Sequence, residues 1–157
     1  MLLGTLTCWA VLVGWVTLRP ADEFDDELGF VEDVTQWLVA HGIPLSFELA
    51  EALANVVMFV PLGVLLTLLV GAERTPGLLT RPVRAVALST LVGLALSSAI
   101  ELAQRTWLPT RVPTLQDVAM NTLGALVGAL AVVLVTARRD RHERRRAGSP
   151  AGEPARR

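Results

Sequence analysis

Four long stretches without a charged side chain decide what this chain can become. They cover residues 1–18, 52–70, 85–100 and 118–137, and the third continues to Gln104 with Glu101 as its only charge. A helix that crosses a bilayer needs about 20 mainly apolar residues, with about 17 as the lower limit. Charged residues are 18% of the chain, apolar residues 52%, and the mean hydropathy is +0.51. An ordinary soluble domain is about 25% charged. The remaining residues are therefore too few to give four such helices a water-facing shell. In hydrocarbon each backbone polar group must be satisfied within its own segment, so the runs are predicted to be helices. The expected fold class is all-α: an integral membrane bundle of four transmembrane helices, spanning about 1–18, 52–70, 85–104 and 118–137 within one domain of residues 1–137. The same composition excludes a disordered protein and a nucleic-acid partner, and the single cysteine excludes a disulfide scaffold.

The first run lacks the basic flank and the small-x-small cleavage site of a signal peptide, so it is expected to stay as an uncleaved span. Orientation follows from arginine, the only basic residue type apart from two histidines. Segment 19–51 holds Arg19 and nine acids, loop 71–84 holds Arg74, Arg81 and Arg84, loop 105–116 holds Arg105 and Arg111, and the tail from 138 holds eight arginines. Placing both termini in the cytoplasm puts eleven arginines inside and three outside, as the positive-inside rule prefers. The expected location is thus a bacterial cell membrane, multi-pass, with the acidic segment facing out. Within that segment Leu28, Val31, Val34, Thr35 and Leu38 recur at helical spacing and suggest a short interfacial helix on the outer surface. The tail 138–157 reads as disordered, a topology anchor that touches anionic lipid. A docking arm for a cytoplasmic partner is the alternative.

Polar residues inside a membrane are costly and need a reason. Asn55 lies near the outer end of the second span. Ser97, Glu101 and Gln104 stand at i, i+4 and i+7 on one face of the third span, toward its outer end. Asp117, Asn121, Gly124 and Gly128 follow i, i+4, i+7 and i+11 on the fourth, whose first turns are also outer. Three helices therefore bring carboxylate, amide and hydroxyl groups to one depth, beneath Arg111 in a short loop. Each group also has a structural explanation. Thr114 and Asp117 have the spacing of a capping box. Glu101 can pair with Arg105 one turn on. Asn55, Gln104 and Asn121 can be interhelical hydrogen-bond glue, and Gly124 and Gly128 can let two helices approach closely. Pro61 removes a helical hydrogen bond and is expected to kink its span beside Gly63. Arg111 suits a phosphate or carboxylate.

No cofactor and no metal are expected. There is no glycine-rich phosphate loop and no Cys/His cluster. His41 and His142 fall on opposite sides of the membrane, and Glu101 with Asp117 makes too thin an oxygen shell for a hard divalent ion.

Three blocks carry a resemblance. Asn55, Phe59, Pro61, Leu62 and Gly63 are similar to N-x3-F-x-PLG. Ser97, Ile100, Glu101 and Gln104 are similar to S-x2-IE-x2-Q. Arg111, Thr114, Asp117, Asn121, Gly124 and Gly128 are similar to R-x2-[ST]-x2-D-x3-N-x2-G-x3-G. In this order and spacing, across residues 55–128, the chain resembles the VanZ-like family of small bacterial membrane proteins. The resemblance implies a multi-helix membrane domain. Through the family's namesake it also implies a link to low-level teicoplanin resistance, and it supports treating Asn55, Glu101, Gln104, Arg111, Asp117 and Asn121 as one site.

The expected function is acting on or binding an envelope lipid or lipid-linked precursor at the outer leaflet. Glu101 and Asp117 are the candidate acid–base pair. Asn55, Gln104, Arg111 and Asn121 are the candidate substrate-binding groups, with Pro61, Gly63, Gly124 and Gly128 structural. The alternative is a non-enzymatic membrane subunit whose polar layer locks the helices together. A small transporter is a third reading, weakened by the lack of an inverted repeat. The sequence fits both an enzyme and a non-enzymatic protein and sets no number of copies.

Overall fold

The computed structural model describes residues 1–18, 36–37, 39–42, 46–72, 80–108 and 114–147. Its main elements are four helices: α1 (Leu2–Thr17), α2 (Phe47–Ala72), α3 (Arg81–Trp107) and α4 (Leu115–Ala147). No strand occurs among the described residues. The helices α2, α3 and α4 are long and apolar enough to cross a membrane. With 16 residues, α1 is about 24 Å long at 1.5 Å per residue, short of the roughly 30 Å hydrocarbon core. Residues 36–37 and 39–40 are helical. The rest of the expected interfacial stripe, including Leu28, Val31, Val34, Thr35 and Leu38, lies outside the described residues, as do Arg111 and the acidic residues 22–33.

One expectation needs correction. The tail was expected to be disordered from residue 138, yet α4 runs on through 138–147. Arginine and glutamate are good helix formers, and no glycine or proline interrupts before Gly148. Asp140 also stands four residues before Arg144, a favourable helical spacing. Arginines near a helix C-terminus complement its dipole as well.

The centre of the bundle is the α2–α4 pair, and it forms because glycine faces backbone there. A Cβ added at Gly128 would run into the carbonyl oxygen of Val60 and lie 3.0 Å from the Val64 nitrogen. One at Gly124 would meet the Val56 carbonyl oxygen and lie 3.0 Å from the Phe59 Cβ, and one at Gly63 would meet the Ala125 carbonyl oxygen. Ala125 and Ala129 are fully buried in the same seam. Close backbone approach through small residues is how membrane helices gain packing when lipid is as apolar as leucine. Helix α3 joins with its own small-residue stripe, whose buried members are Ala85, Ser89, Gly93 and Ser97.

Helix α1 lies outside, against α2 and α3. Trp9 and Val13 are buried with Phe59, Leu62 and Ile100 in the apolar core. The Trp9 and Phe59 rings meet edge-on, 5.6 Å apart at 88°, a preferred aromatic geometry. The Trp9 indole N–H donates to the Met58 carbonyl at 2.9 Å. The carbonyl that Pro61 leaves without its helical donor is that of Val57, the neighbouring residue, and α2 continues through the proline as one helix. Trp9→Phe keeps the ring and removes the donor. It is expected to cost about 1 kcal/mol, read as a lower thermal midpoint in detergent; an unchanged midpoint would show that this bond does not hold α1 in place.

Candidate functional site

Hydrogen bonds between helices fix which ends lie together. The C-terminal ends of α1 and α3 meet the N-terminal ends of α2 and α4, and the polar residues gather there.

Asp117 is built first, from local sequence. Its backbone N–H donates to the Thr114 hydroxyl oxygen at 3.1 Å, and that hydroxyl donates to Asp117 Oδ2 at 2.8 Å. The Thr114 hydroxyl thus caps the start of α4, and the Asp117 carboxylate that accepts from it sits in the first turn, where the helix dipole favours negative charge. Its other oxygen, Oδ1, accepts from Asn55 Nδ2 at 2.6 Å, so the same group ties α4 to α2. One turn deeper, Asn121 Nδ2 donates to the Ser97 hydroxyl at 2.9 Å. Asn121 is 3% exposed and Ser97 fully buried, and this bond ties α4 to α3. The Asn121 Oδ1 is buried without a hydrogen bond among the described residues. Gln104 Nε2 donates to the Thr17 carbonyl at 2.8 Å. Thr17 ends α1, where carbonyls lack intrahelical partners, so this bond ties α3 to α1.

Glu101 stands between Ser97 and Gln104 on the same face of α3 and is half-buried. Placed one turn from the Ser97–Asn121 bond and at the Asp117 end of the bundle, it adds a second carboxylate to the layer. Five of the six sequence-derived site residues, Asn55, Glu101, Gln104, Asp117 and Asn121, are therefore at one end; Arg111 lies outside the described residues. Pro61 is exposed, while Gly63, Gly124 and Gly128 are buried in the α2–α4 seam below the layer. No group of three or more His, Cys, Asp or Glu side chains is placed to hold a metal ion among the described residues.

Four polar participants escape a reading of single-helix faces. They are Trp9, Thr17, and the buried pair Thr67 and Ser89, whose hydroxyls meet at 2.9 Å toward the other end of the bundle. The available signal for Ser89 is its place four and eight residues before Gly93 and Ser97. Trp9 could be read only by matching a mid-span indole to the turn before Pro61.

Chemically, the layer offers hydrogen-bond acceptors at one end of the bundle. It also cross-links every helix: α1 to α3, α2 to α4 and α3 to α4. No curated protein and no solved structure matches this chain. A family model described as VanZ/LLP1 matches residues 2–136, nearly the full length of the four helices. With the polar layer, the glycine seam and the helical bundle all inside that match, the chain belongs to the VanZ/LLP1 family.

Proposed function

We propose that this membrane protein binds the head group of an envelope lipid or lipid-linked precursor at the outer-leaflet end of its bundle, and that this binding contributes to glycopeptide tolerance. The reading includes four spans with both termini in the cytoplasm, which sets the polar end outside; α1 then crosses as the shortest span, with local thinning of the bilayer. One observation carries it: side chains from three helices place two carboxylates and three amides in a single layer, a costly arrangement in a membrane unless it is used. In this reading Glu101 and Arg111 contact the head group, and Asn55 and Thr114 orient Asp117. Asn121 and Gln104 shape the floor and side of the site. A proton-transfer step on the bound head group would run through Glu101 and Asp117.

The internal pairing of Asn55 with Asp117, Asn121 with Ser97, and Gln104 with Thr17 favours a second reading, in which the layer only locks the helices. One experiment separates the two. A glycopeptide-sensitive host expresses wild type, Glu101→Gln, Asp117→Asn or Arg111→Ala, with membrane abundance measured in each strain. Lost tolerance at equal abundance is the expected result. Variants that keep full tolerance at equal abundance would sink the binding site, and variants that vanish from the membrane would support the lock.

A further inference from the structure

The unexpected helical continuation of α4 has a defined cationic side. Arg138, Arg141, His142 and Arg145 stand at i, i+3, i+4 and i+7, so they form one stripe, and all four are exposed. None of them has an acidic residue three or four positions away in either direction. The flanking arginines differ: Glu143 stands four residues after Arg139, and Asp140 four before Arg144. The two acids of the extension are thus within reach of the flanks, and the stripe keeps its charge.

The stripe also has a direction. Val127, Leu130 and Leu134 are exposed apolar residues on the side of α4 turned away from the bundle. Continued along the helix, the series 127, 130, 131, 134 runs into 138, 141, 142 and 145 at the same three-and-four spacing. The buried face of α4 includes Asn121, Gly124, Ala125, Gly128 and Ala129, and the Ala125–Ala129 edge of it continues through Val132 and Thr136 to Asp140 and Glu143. Arg138, Arg141 and Arg145 therefore emerge beneath the lipid-facing side of α4, His142 at its edge below Gly124, and the acids beneath the bundle.

We propose that this stripe is a binding surface for the phosphate groups of anionic lipids in the leaflet where α4 leaves the membrane. Arg138 sits at the end of the apolar run, and Arg145 is about 10 Å further along the axis. Such a span slightly exceeds the Debye length of about 8 Å at physiological salt, and long arginine side chains reach back toward the head groups. Guanidinium groups suit phosphate through paired donors. The proposal is independent of the polar layer at the opposite end and of which side of the cell α4 enters.

The test uses the full chain in nanodiscs of mixed phosphatidylcholine and phosphatidylglycerol, with retained lipids counted by native mass spectrometry. Two double variants remove the same charge and keep helix propensity: R141Q/R145Q on the stripe and R139Q/R144Q on the flanks. Wild type is expected to retain phosphatidylglycerol preferentially, and the preference to weaken as salt rises. R141Q/R145Q should lower that preference on the order of tenfold, with R139Q/R144Q close to wild type. Equal losses in the two variants would overturn the stripe in favour of net charge alone. A wild type with no preference would also overturn it, and capture of an added polyglutamate peptide through Arg141 and Arg145 would then assign the surface to an acidic protein.

Discussion

Gly128→Ala is expected to destabilise the bundle by about 2–3 kcal/mol, an overpacking cost at the upper end of those measured in tight cores. A methyl group at this position meets the Val60 carbonyl oxygen and lies 3.0 Å from the Val64 nitrogen. Both are backbone atoms in the middle of a helix, so no side-chain rotation relieves the clash, and α2 and α4 must move apart along the whole seam. The comparison that makes the result specific is Gly71→Ala, where an added Cβ has nothing within 4 Å. That change should be neutral or stabilising by up to about 1 kcal/mol, because alanine loses less backbone freedom on folding. Thermal midpoints and monodisperse recovery in one detergent read both. Equal midpoints for the two variants would mean that the seam is looser than the backbone contacts imply.

Asn55→Asp should be the most damaging single change in the polar layer. It places a second carboxylate where an amide now donates to Asp117 Oδ1 at 2.6 Å. Two like charges held this close cost several kcal/mol unless one takes a proton. The reciprocal double variant, Asn55→Asp with Asp117→Asn, restores one amide and one carboxylate across the same gap. Abundance of the double variant should recover most of the loss seen in Asn55→Asp. The tolerance assay then divides the two readings of the layer. Recovered abundance with recovered tolerance means that any amide–carboxylate pair suffices. Recovered abundance without tolerance means that a carboxylate is needed on α4 itself, beside Thr114. A double variant as depleted as the single one would show that the pair is not what holds the N-terminal ends of α2 and α4.

Much of this molecule was readable because membrane helices leave simple marks. Long uncharged runs locate α2, α3 and α4, and the i, i+4, i+7 spacing of Ser97, Glu101 and Gln104 locates a face. Such spacing says which side of one helix carries the polar groups. It does not say which partner faces them, since that depends on how two helices are rotated and how high each one sits. For that reason Gln104 was assigned to a site but its acceptor, the Thr17 carbonyl, was not. The indole of Trp9 and the Thr67–Ser89 contact were missed on the same ground. The capping arrangement of Thr114 and Asp117 was legible because both partners lie within one turn. Residues 138–147 have the charge density of a solvated tail, yet nothing in them breaks a helix, and propensity wins.

The glycine seam also bears on the order in which the chain is put together. Its two halves come from α2 and α4, and α3 separates them in sequence. During synthesis the notch at Gly63 must wait, lined by backbone and open to lipid, until the final helix enters the membrane. Before that, the first three helices are joined by the Trp9 and Gln104 bonds to main-chain carbonyls and by the Thr67–Ser89 contact between α2 and α3. Completion is thus deferred to the last segment made, and a nascent chain stopped before Gly124 would present the membrane's quality-control proteases with an unfilled groove.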